Sequence, residues 1–227
     1  MRIFRFSPLK TPNSQLMSTL TPAYDNKIYQ KYSKKMLQNK EKNKIAFCQD
    51  FGLNYNKKTP LLCLTFPLTE KNNLGMLQDV IQGILEQDVV MAVTGIGTEK
   101  YQNFFNELAK ENPKRIAIIS DNDGNKRKIY AASDIYLATS TTEECKEEIE
   151  KAMNYGVIPV CPENELVTDY DGAREEGNAF VYKENSPWSF FASLIRAMEN
   201  FKFPYDWRTI QQSVMSEPEN KEESDEE

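Results

Sequence analysis

Residues 129–145 read IYAASDIYLATSTTEEC, and residues 152–160 read AMNYGVIPV. The first segment contains a short apolar run, Ile135–Thr139, and the second ends within another, Ile158–Cys161. Such runs are typical of strands buried on both faces of a parallel sheet. Between them, Glu143–Tyr155 has the length and apolar spacing of an amphipathic helix. Because two strands joined by a helix form a βαβ unit, this part of the chain predicts a parallel α/β sheet.

The same alternation continues on both sides of this unit, from Leu61 to about residue 215. The other predicted strands are Leu61–Phe66, Val89–Thr94, Arg115–Ile119 and Ala179–Val181. The other predicted helices are Leu74–Gln87, Tyr101–Glu111, Lys126–Ala131, Trp188–Asn200 and Trp207–Met215. Ser186 and Pro187 are a helix start signal, because serine caps helices and proline fits the first turn. We therefore predict the α/β class, with a single doubly wound parallel sheet of the Rossmann type.

The distribution of charge divides the chain into four predicted regions. Residues 58–215 carry the sheet, and residues 21–57 form a basic, mostly helical lead-in. Residues 1–20 are predicted to be a flexible N-terminus. Residues 216–227 are mostly acidic and contain no large apolar side chain, which predicts a disordered tail.

The composition excludes several kinds of chemistry. The chain has no histidine, which removes Ser-His-Asp, Cys-His and histidine-ligated metal sites. The four cysteines have no C-x-x-C spacing, so we predict reduced, packed thiols. They are Cys48, Cys63, Cys145 and Cys161. Neither a metal nor a cofactor is predicted.

The sequence also bears on localisation. No apolar run approaches the roughly 20 residues that a membrane span requires, and no membrane partner is predicted. We expect a cytoplasmic protein. The first 24 residues contain no acidic residue, which leaves an organelle-targeting segment as the alternative.

The segments at 129–145 and 152–160 resemble the donor-binding half of bacterial glycogen synthases and plant starch synthases. That family reads roughly I-x-A-G-A-D-x-x-L-x-P-S-R-x-E-P-C-G-L and then A-M-x-Y-G-T-x-P-V. The likeness extends over about residues 21–212, from Pro22-Ala23-Tyr24-Asp25 to Trp207-Arg208. It implies the C-terminal domain of a GT-B glycosyltransferase. Such an enzyme transfers glucose from ADP-glucose to an α-glucan, which approaches from a second, N-terminal domain.

The resemblance implies an arginine and a lysine after the first strand, where positive charge meets the leaving diphosphate. Here the arginine position is Pro67, the lysine position is Asn72, and the glycine that follows is Asn73. Lys71, one residue earlier, is the candidate for reaching the phosphate in their place. We predict no catalytic residue.

A second donor-binding stretch in the family is Glu-Pro-Cys-Gly-Leu at the start of a helix. Glu143 and Cys145 match it, and both are candidate donor-binding residues. The glycine is replaced by Lys146. The carboxylates that follow the helix start are expected to repel a diphosphate; they are Glu143, Glu144, Glu147 and Glu148. The alternative interpretation is an ordinary helix start capped by Thr141 or Thr142.

The last candidate donor-binding residues are Gly95, Ile96 and Gly97, which lie between a predicted strand and a predicted helix. A tight turn that needs small residues explains this Gly-x-Gly equally well. The family's adenine-stacking aromatic falls near Asp121, and Tyr130 is the nearby aromatic. Its glycine-rich stretch after the fifth strand is replaced by residues 161–166, which contain no glycine.

These replacements predict a glycogen synthase-related donor domain that is inactive alone and acts as a binding or scaffolding subunit. Binding of ADP or ADP-glucose is expected to be weak or lost. The alternative is a split glucosyltransferase, completed by a protein that supplies the acceptor domain. A nucleic-acid partner for the basic residues 27–58, with Tyr29, Tyr32 and Tyr55, is not expected, because such segments are commonly solvated helices.

Overall fold

The computed structural model describes residues 21–215, and it contains the predicted parallel sheet. Its six strands lie in the order β3-β2-β1-β4-β5-β6, and every neighbouring pair is parallel. The strands are β1 (Leu61–Leu64), β2 (Val90–Val93), β3 (Ile116–Ile118), β4 (Ile135–Leu137), β5 (Ile158–Pro162) and β6 (Phe180–Tyr182). The predicted flexible N-terminus and acidic tail lie outside the described residues.

All six strand predictions are confirmed, with differences of one or two residues at their ends. The central strands β1 and β4 are completely buried, which explains their continuous apolar sequences. Thr65 and Phe66 are also buried, but they leave the ladder and begin the loop after β1. The apolar run is therefore longer than the strand because the loop that follows is buried too.

Seven α-helices surround the sheet in the described part of the chain. They are α1 (Lys40–Asp50), α2 (Leu74–Leu85), α3 (Glu99–Glu111), α4 (Asp123–Ala132), α5 (Glu143–Asn154), α6 (Pro187–Phe201) and α7 (Pro204–Val214). The predicted start of α6 is confirmed, since the Ser186 side chain accepts a hydrogen bond from the Ser189 amide at 3.2 Å. Helix α4 begins three residues earlier than predicted because Asn122 caps it at a polar position.

The order of the strands places the reversal of the winding between β1 and β4. Parallel crossovers are right-handed, so the helices that follow β1 and β2 cover one face and those that follow β3 and β4 cover the other. Helix α2 packs against α6, and α1 packs against α4. The sheet is therefore doubly wound, as the sequence predicts.

The basic lead-in contains a 3-10 helix, Lys34–Asn39, followed by α1, and two of its lysines are buried. Lys44 is 2% exposed, and its Nζ lies 2.7 Å from Asp134 Oδ2 and 2.7 Å from the Thr59 carbonyl oxygen. The interpretation of this segment as a solvated helix is therefore wrong at these positions. The lead-in fills part of the core instead of presenting a continuous basic surface.

The second buried lysine, Lys40, contacts the ends of two helices. Its Nζ donates to the carbonyl oxygens of Tyr130 at 2.8 Å and Ala131 at 3.2 Å, at the end of α4. It also donates to the Tyr155 carbonyl oxygen at 3.0 Å, just after α5. Burial lowers the pKa of Lys40 to about 7. The lead-in is thus joined to both α4 and α5 by polar contacts inside the core.

Within residues 21–215 no helix has both the length and the apolar character to span a membrane. In the same residues no cluster of three or more His, Cys, Asp or Glu side chains is arranged to hold a metal ion.

Candidate functional site

The candidate site lies at the carboxyl ends of β1 and β4, where the winding of the sheet reverses. Ligands of open α/β sheets bind in the crevice at this point. It is bordered by residues 65–73 after β1, residues 94–98 after β2 and residues 138–142 after β4. The residues that match the family's donor-binding positions lie in these loops or at the start of α5.

Asn72 joins the loop after β1 to the loop after β4. Its side-chain Nδ2 donates to the Pro67 carbonyl oxygen at 2.7 Å. Its Oδ1 accepts from Ser140 Oγ at 3.0 Å and from Thr142 Oγ1 at 2.7 Å, and its backbone oxygen accepts from the Thr139 hydroxyl. Asn72 is 3% exposed. A neutral, buried amide with partners on both sides therefore lies where the resemblance implies a lysine.

Asn73 adopts a left-handed backbone conformation, with φ of 53°. This conformation explains the family's glycine, and asparagine is among the few other residues that tolerate it. The Asn73 side chain donates to Asn185 Oδ1 at 2.8 Å, which joins the start of α2 to the loop before α6. The turn is thus preserved without glycine.

Lys71 is exposed beside this turn. No ion pair within residues 21–215 involves its ammonium group. It is the cation adjacent to the position that the resemblance gives to lysine, but its side chain points to solvent rather than into the Asn72 network.

Gly95 and Gly97 allow the loop after β2 to lie directly on the loop after β1. A Cβ on Gly95, whose φ is 149°, would lie 2.5 Å from the Phe66 carbonyl oxygen. A Cβ on Gly97 would lie 2.1 Å from the Leu68 carbonyl oxygen. The Leu68 N–H donates to the Ile96 carbonyl oxygen, and the Leu68 carbonyl oxygen accepts from the Thr98 N–H. Both N–O distances are 3.0 Å. Close backbone packing accounts for both glycines.

Ile96 lies between these glycines. Its side chain is exposed, and its backbone N–H is already hydrogen-bonded within the protein. Its backbone N–H donates to Asp121 Oδ2 at 3.2 Å. The other oxygen of Asp121 lies 3.5 Å from Lys126 Nζ. The Asp121 carboxylate therefore accepts the hydrogen bond that the amide of a Gly-x-Gly turn could otherwise donate to a phosphate.

Helix α5 begins with the cap predicted as one of two alternatives. Thr142 is the N-cap, and its side chain accepts from the Cys145 amide at 3.4 Å. Cys145 is fully buried, and burial raises the pKa of its thiol to about 11, so it is a packed thiol and not a nucleophile. Glu143 is exposed, and Lys146 lies between it and Glu165, with N–O distances of 3.4 and 2.8 Å.

The prediction that the Glu148 carboxylate helps to repel a diphosphate is wrong. Glu148 is buried, and it accepts hydrogen bonds from the Tyr130 hydroxyl and from Thr65 Oγ1 at 2.9 Å. Lys151 and Lys126 lie 3.0 and 3.4 Å from its carboxylate. Its spacing of three residues from Cys145 could have indicated this, because both lie on the buried face of α5.

Two opposing effects act on the pKa of Glu148. Burial favours the neutral acid, but the Tyr130 hydroxyl and the two lysines favour the carboxylate more strongly. The pKa of Glu148 is therefore held below its ordinary value. Tyr130 is itself 2% exposed, so it is not available to stack on a nucleobase.

The sheet order and the crossovers define a Rossmann-like domain, and the likeness to solved structures is to the GT-B glycosyltransferase type. The catalytic domain of starch synthase IV from Arabidopsis thaliana, solved with ADP and acarbose, matches with a TM-score of 0.77 and 25% identity over 87% of this chain and 43% of that chain. The C-terminal domain of a group 1 family glycosyltransferase from Francisella tularensis matches with a TM-score of 0.59 and 16% identity, covering 78% of this chain and 91% of that domain.

Sequence comparison gives the closer relationship. Glycogen synthase of Bacillus anthracis is 30% identical over 205 residues, which are 88% of this chain and 43% of that enzyme. Glycogen synthase 1 of Synechocystis is 28% identical over 200 residues, which are 86% of this chain and 42% of that enzyme. This chain is therefore a relative of the C-terminal part of glycogen and starch synthases, and the resemblance inferred from its sequence is confirmed.

The chain spans less than half the length of these curated relatives. No protein-family model matches it.

Proposed function

We propose that this chain is a donor-type domain of the glycogen synthase kind that transfers no glucose on its own and serves as a binding or scaffolding subunit. The observation that carries the proposal is the hydrogen-bond network of Asn72. Glucosyl transfer from a nucleoside diphosphate builds negative charge on the leaving group, and fixed positive charge must stabilise it. Asn72 supplies a neutral amide at the lysine position, and Pro67 supplies no charge at the arginine position.

The geometry of the network supports the proposal further. Both ends of the Asn72 amide are engaged, because Nδ2 bonds to Pro67 and Oδ1 bonds to Ser140 and Thr142. A phosphate that replaced these partners would leave buried polar groups unpaired, each at a cost of about 1–3 kcal/mol. The loops on the two sides of the crevice are thus held together by the protein's own groups.

The surroundings of the crevice also disfavour a diphosphate. The Asp121 carboxylate accepts the hydrogen bond of the Ile96 amide. Glu143, Glu144 and Glu147 are exposed on the first turns of α5, where an anionic ligand would meet like charge. Weak or absent binding of ADP and ADP-glucose follows from these contacts.

Two measurements on the purified chain test the proposal. The first is a glucosyl-transfer assay with ADP-glucose and a soluble glucan, in which we expect no turnover above the enzyme-free rate. The second is calorimetric titration with ADP and ADP-glucose, with UDP-glucose as a control. Detectable transfer by the chain alone would refute the proposal.

The second candidate is a split glucosyltransferase completed by an acceptor-domain protein. The observation that favours it is Lys71, an exposed cation beside the Asn72 turn that has no ion pair in the described part of the chain. This candidate predicts activity only when both proteins are mixed. It also predicts that Lys71→Ala abolishes that activity, whereas Lys114→Ala, at an exposed lysine on the opposite edge of the sheet, leaves it unchanged.

A further inference from the structure

The last turn of α7 packs against the 3-10 helix Lys34–Asn39. Gln212 Nε2 donates to the Lys34 carbonyl oxygen at 3.3 Å. The side chains of Met215 and Leu37 meet at Gly156, where a Cβ would lie 3.1 Å from Met215 Sδ and 3.7 Å from Leu37 Cδ2. The described part of the chain, which stops at residue 215, therefore ends beside this 3-10 helix.

Positive charge surrounds this place. Lys31, Lys35 and Arg208 are exposed, and Lys34 is partly exposed. Arg208 lies four residues before Gln212, so the two share a face of α7. Within residues 21–215, no ion pair involves any of the four cations. We call this group, Lys31, Lys34, Lys35 and Arg208, the cationic surface.

The acidic residues next to the cationic surface have other partners. Glu41, in the first turn of α1, accepts a hydrogen bond from the Tyr55 hydroxyl. Asp206, in the first turn of α7, lies near Tyr170, since burial and then the charge of Asp206 raise the pKa of that tyrosine. These carboxylates therefore leave the cationic surface available to another anion.

The segment that follows residue 215 has the complementary charge. Residues 216–227 carry seven carboxylate side chains and one lysine. They contain no large apolar side chain, so a contact with the fold has to rest on charge. An extended chain spans at most about 3.3–3.6 Å per residue, so the carboxylates that come within reach of the cationic surface begin with Glu217 and Glu219.

We propose that the acidic segment 216–227 lies along the cationic surface of its own chain. Opposite charges attract more strongly near a protein surface than in bulk water, and here several pairs act together. Each exposed ion pair is weak by itself, so the carboxylates exchange among the four cations without a single fixed geometry. The contact involves neither the crevice nor a sugar, and it is therefore independent of the proposed function.

A nitroxide attached at Ser224→Cys in the full chain, read through the backbone amide signals in NMR spectra, tests this inference. The four native cysteines are buried, so the thiol reagent is directed to residue 224. We expect the signals of residues 31–35 and 208–212 to lose most of their peak height, compared with the same sample after the nitroxide is reduced. Raising the ionic strength from about 0.01 M to about 1 M, which shortens the Debye length from about 30 Å to about 3 Å, should restore them.

Charge reversal gives a matched comparison. Lys35→Glu combined with Arg208→Glu should restore most of the lost peak height in the labelled chain. Lys71→Glu combined with Lys183→Glu makes the same change in net charge at two exposed lysines, which follow the carboxyl ends of β1 and β6, and should leave the broadening unchanged. Equal effects of the two pairs, or no preferential loss of signal near the cationic surface in the parent, would overturn the inference.

A mixed sample separates the chain's own segment from that of a second copy. Chains that carry the nitroxide but no isotope label are mixed with isotope-labelled chains that have no nitroxide. We expect no broadening of residues 31–35 in this mixture. Broadening there would assign the contact to the acidic segment of another copy and would overturn the proposal.

Discussion

The side chain of Asn72 is the main difference between this crevice and a donor site that carries the lysine implied by the resemblance. The amide bonds to Pro67 on its own loop and to Ser140 and Thr142 on the loop after β4. A lysine at the same position would have to displace these partners or extend past them. The replacement therefore changes both the charge of the crevice and the connection between its two sides.

Asn72→Ala should destabilise the fold by about 1–3 kcal/mol, because it leaves buried polar groups on two loops without partners. Urea denaturation monitored by circular dichroism measures the effect. Lys71→Ala is the control, and as an exposed neighbour it should change the free energy of unfolding by less than about 0.5 kcal/mol. Equal effects of the two substitutions would argue against the Asn72 network.

Glu148 predicts a dependence of stability on pH. Its pKa is lowered in the folded protein, so the carboxylate contributes stability above its ordinary pKa of 4.5, and this contribution is lost as the pH falls through the lowered folded-state value. Glu148→Gln should therefore be less stable than the parent at pH 7, and the difference should shrink below pH 4.5. Urea denaturation of both proteins between about pH 3 and pH 7 tests this; a difference that is constant with pH would contradict it.

At the scale of elements, the contact between the loops after β1 and β2 depends on glycine. Gly97→Ala should destabilise the fold by about 1–3 kcal/mol, because the new Cβ would lie 2.1 Å from a backbone oxygen. Gly75→Ala is the matched control, since no atom lies within 4 Å of its added Cβ. It is the second residue of α2, outside the helix interior, and the substitution should change the free energy of unfolding by less than about 0.5 kcal/mol. Thermal unfolding of both variants separates the two cases, and a harmless Gly97→Ala would refute the packing argument.

The docking of α1 onto the sheet depends on Lys44. Lys44→Met removes the partner of buried Asp134 and should cost about 3–5 kcal/mol. Lys42→Met, at an exposed position on the same helix, should change stability by less than about 0.5 kcal/mol. The comparison is made by urea denaturation at neutral pH, and similar losses for both variants would mean that the buried pair is not what holds α1.

Local patterns predicted the strands well because a strand buried on both faces must be apolar at every position. They also predicted the capped start of α6 at Ser186 and that of α5 at Thr141 or Thr142, of which the structure has Thr142, from residue types that accept amide hydrogen bonds. They did not predict that Lys44 is buried, because its partner Asp134 is 90 residues away along the chain. The partners of Asn72 and the burial of Glu148 depend on long-range contacts in the same way.

At the scale of the whole molecule, the sheet agrees with the family to which the relatives belong, whereas the carboxyl edge of the sheet differs from what the resemblance implies. The sheet and its crossovers follow the GT-B domain of the relatives, and Gly95 and Gly97 keep the loops after β1 and β2 in close contact. The carboxyl edge carries Asn72 in place of the implied lysine and Asp121 on the Ile96 amide. We propose that a domain with this edge cleaves no sugar nucleotide on its own.

The most direct test of this account is calorimetric titration of the purified chain with ADP-glucose, run beside a two-domain glycogen synthase as a positive control. We predict binding by the control enzyme and no detectable heat of binding by this chain at millimolar ligand. Binding at micromolar ADP-glucose, about −8 kcal/mol in free energy, would mean that the crevice accepts the donor despite Asn72, and would contradict the account.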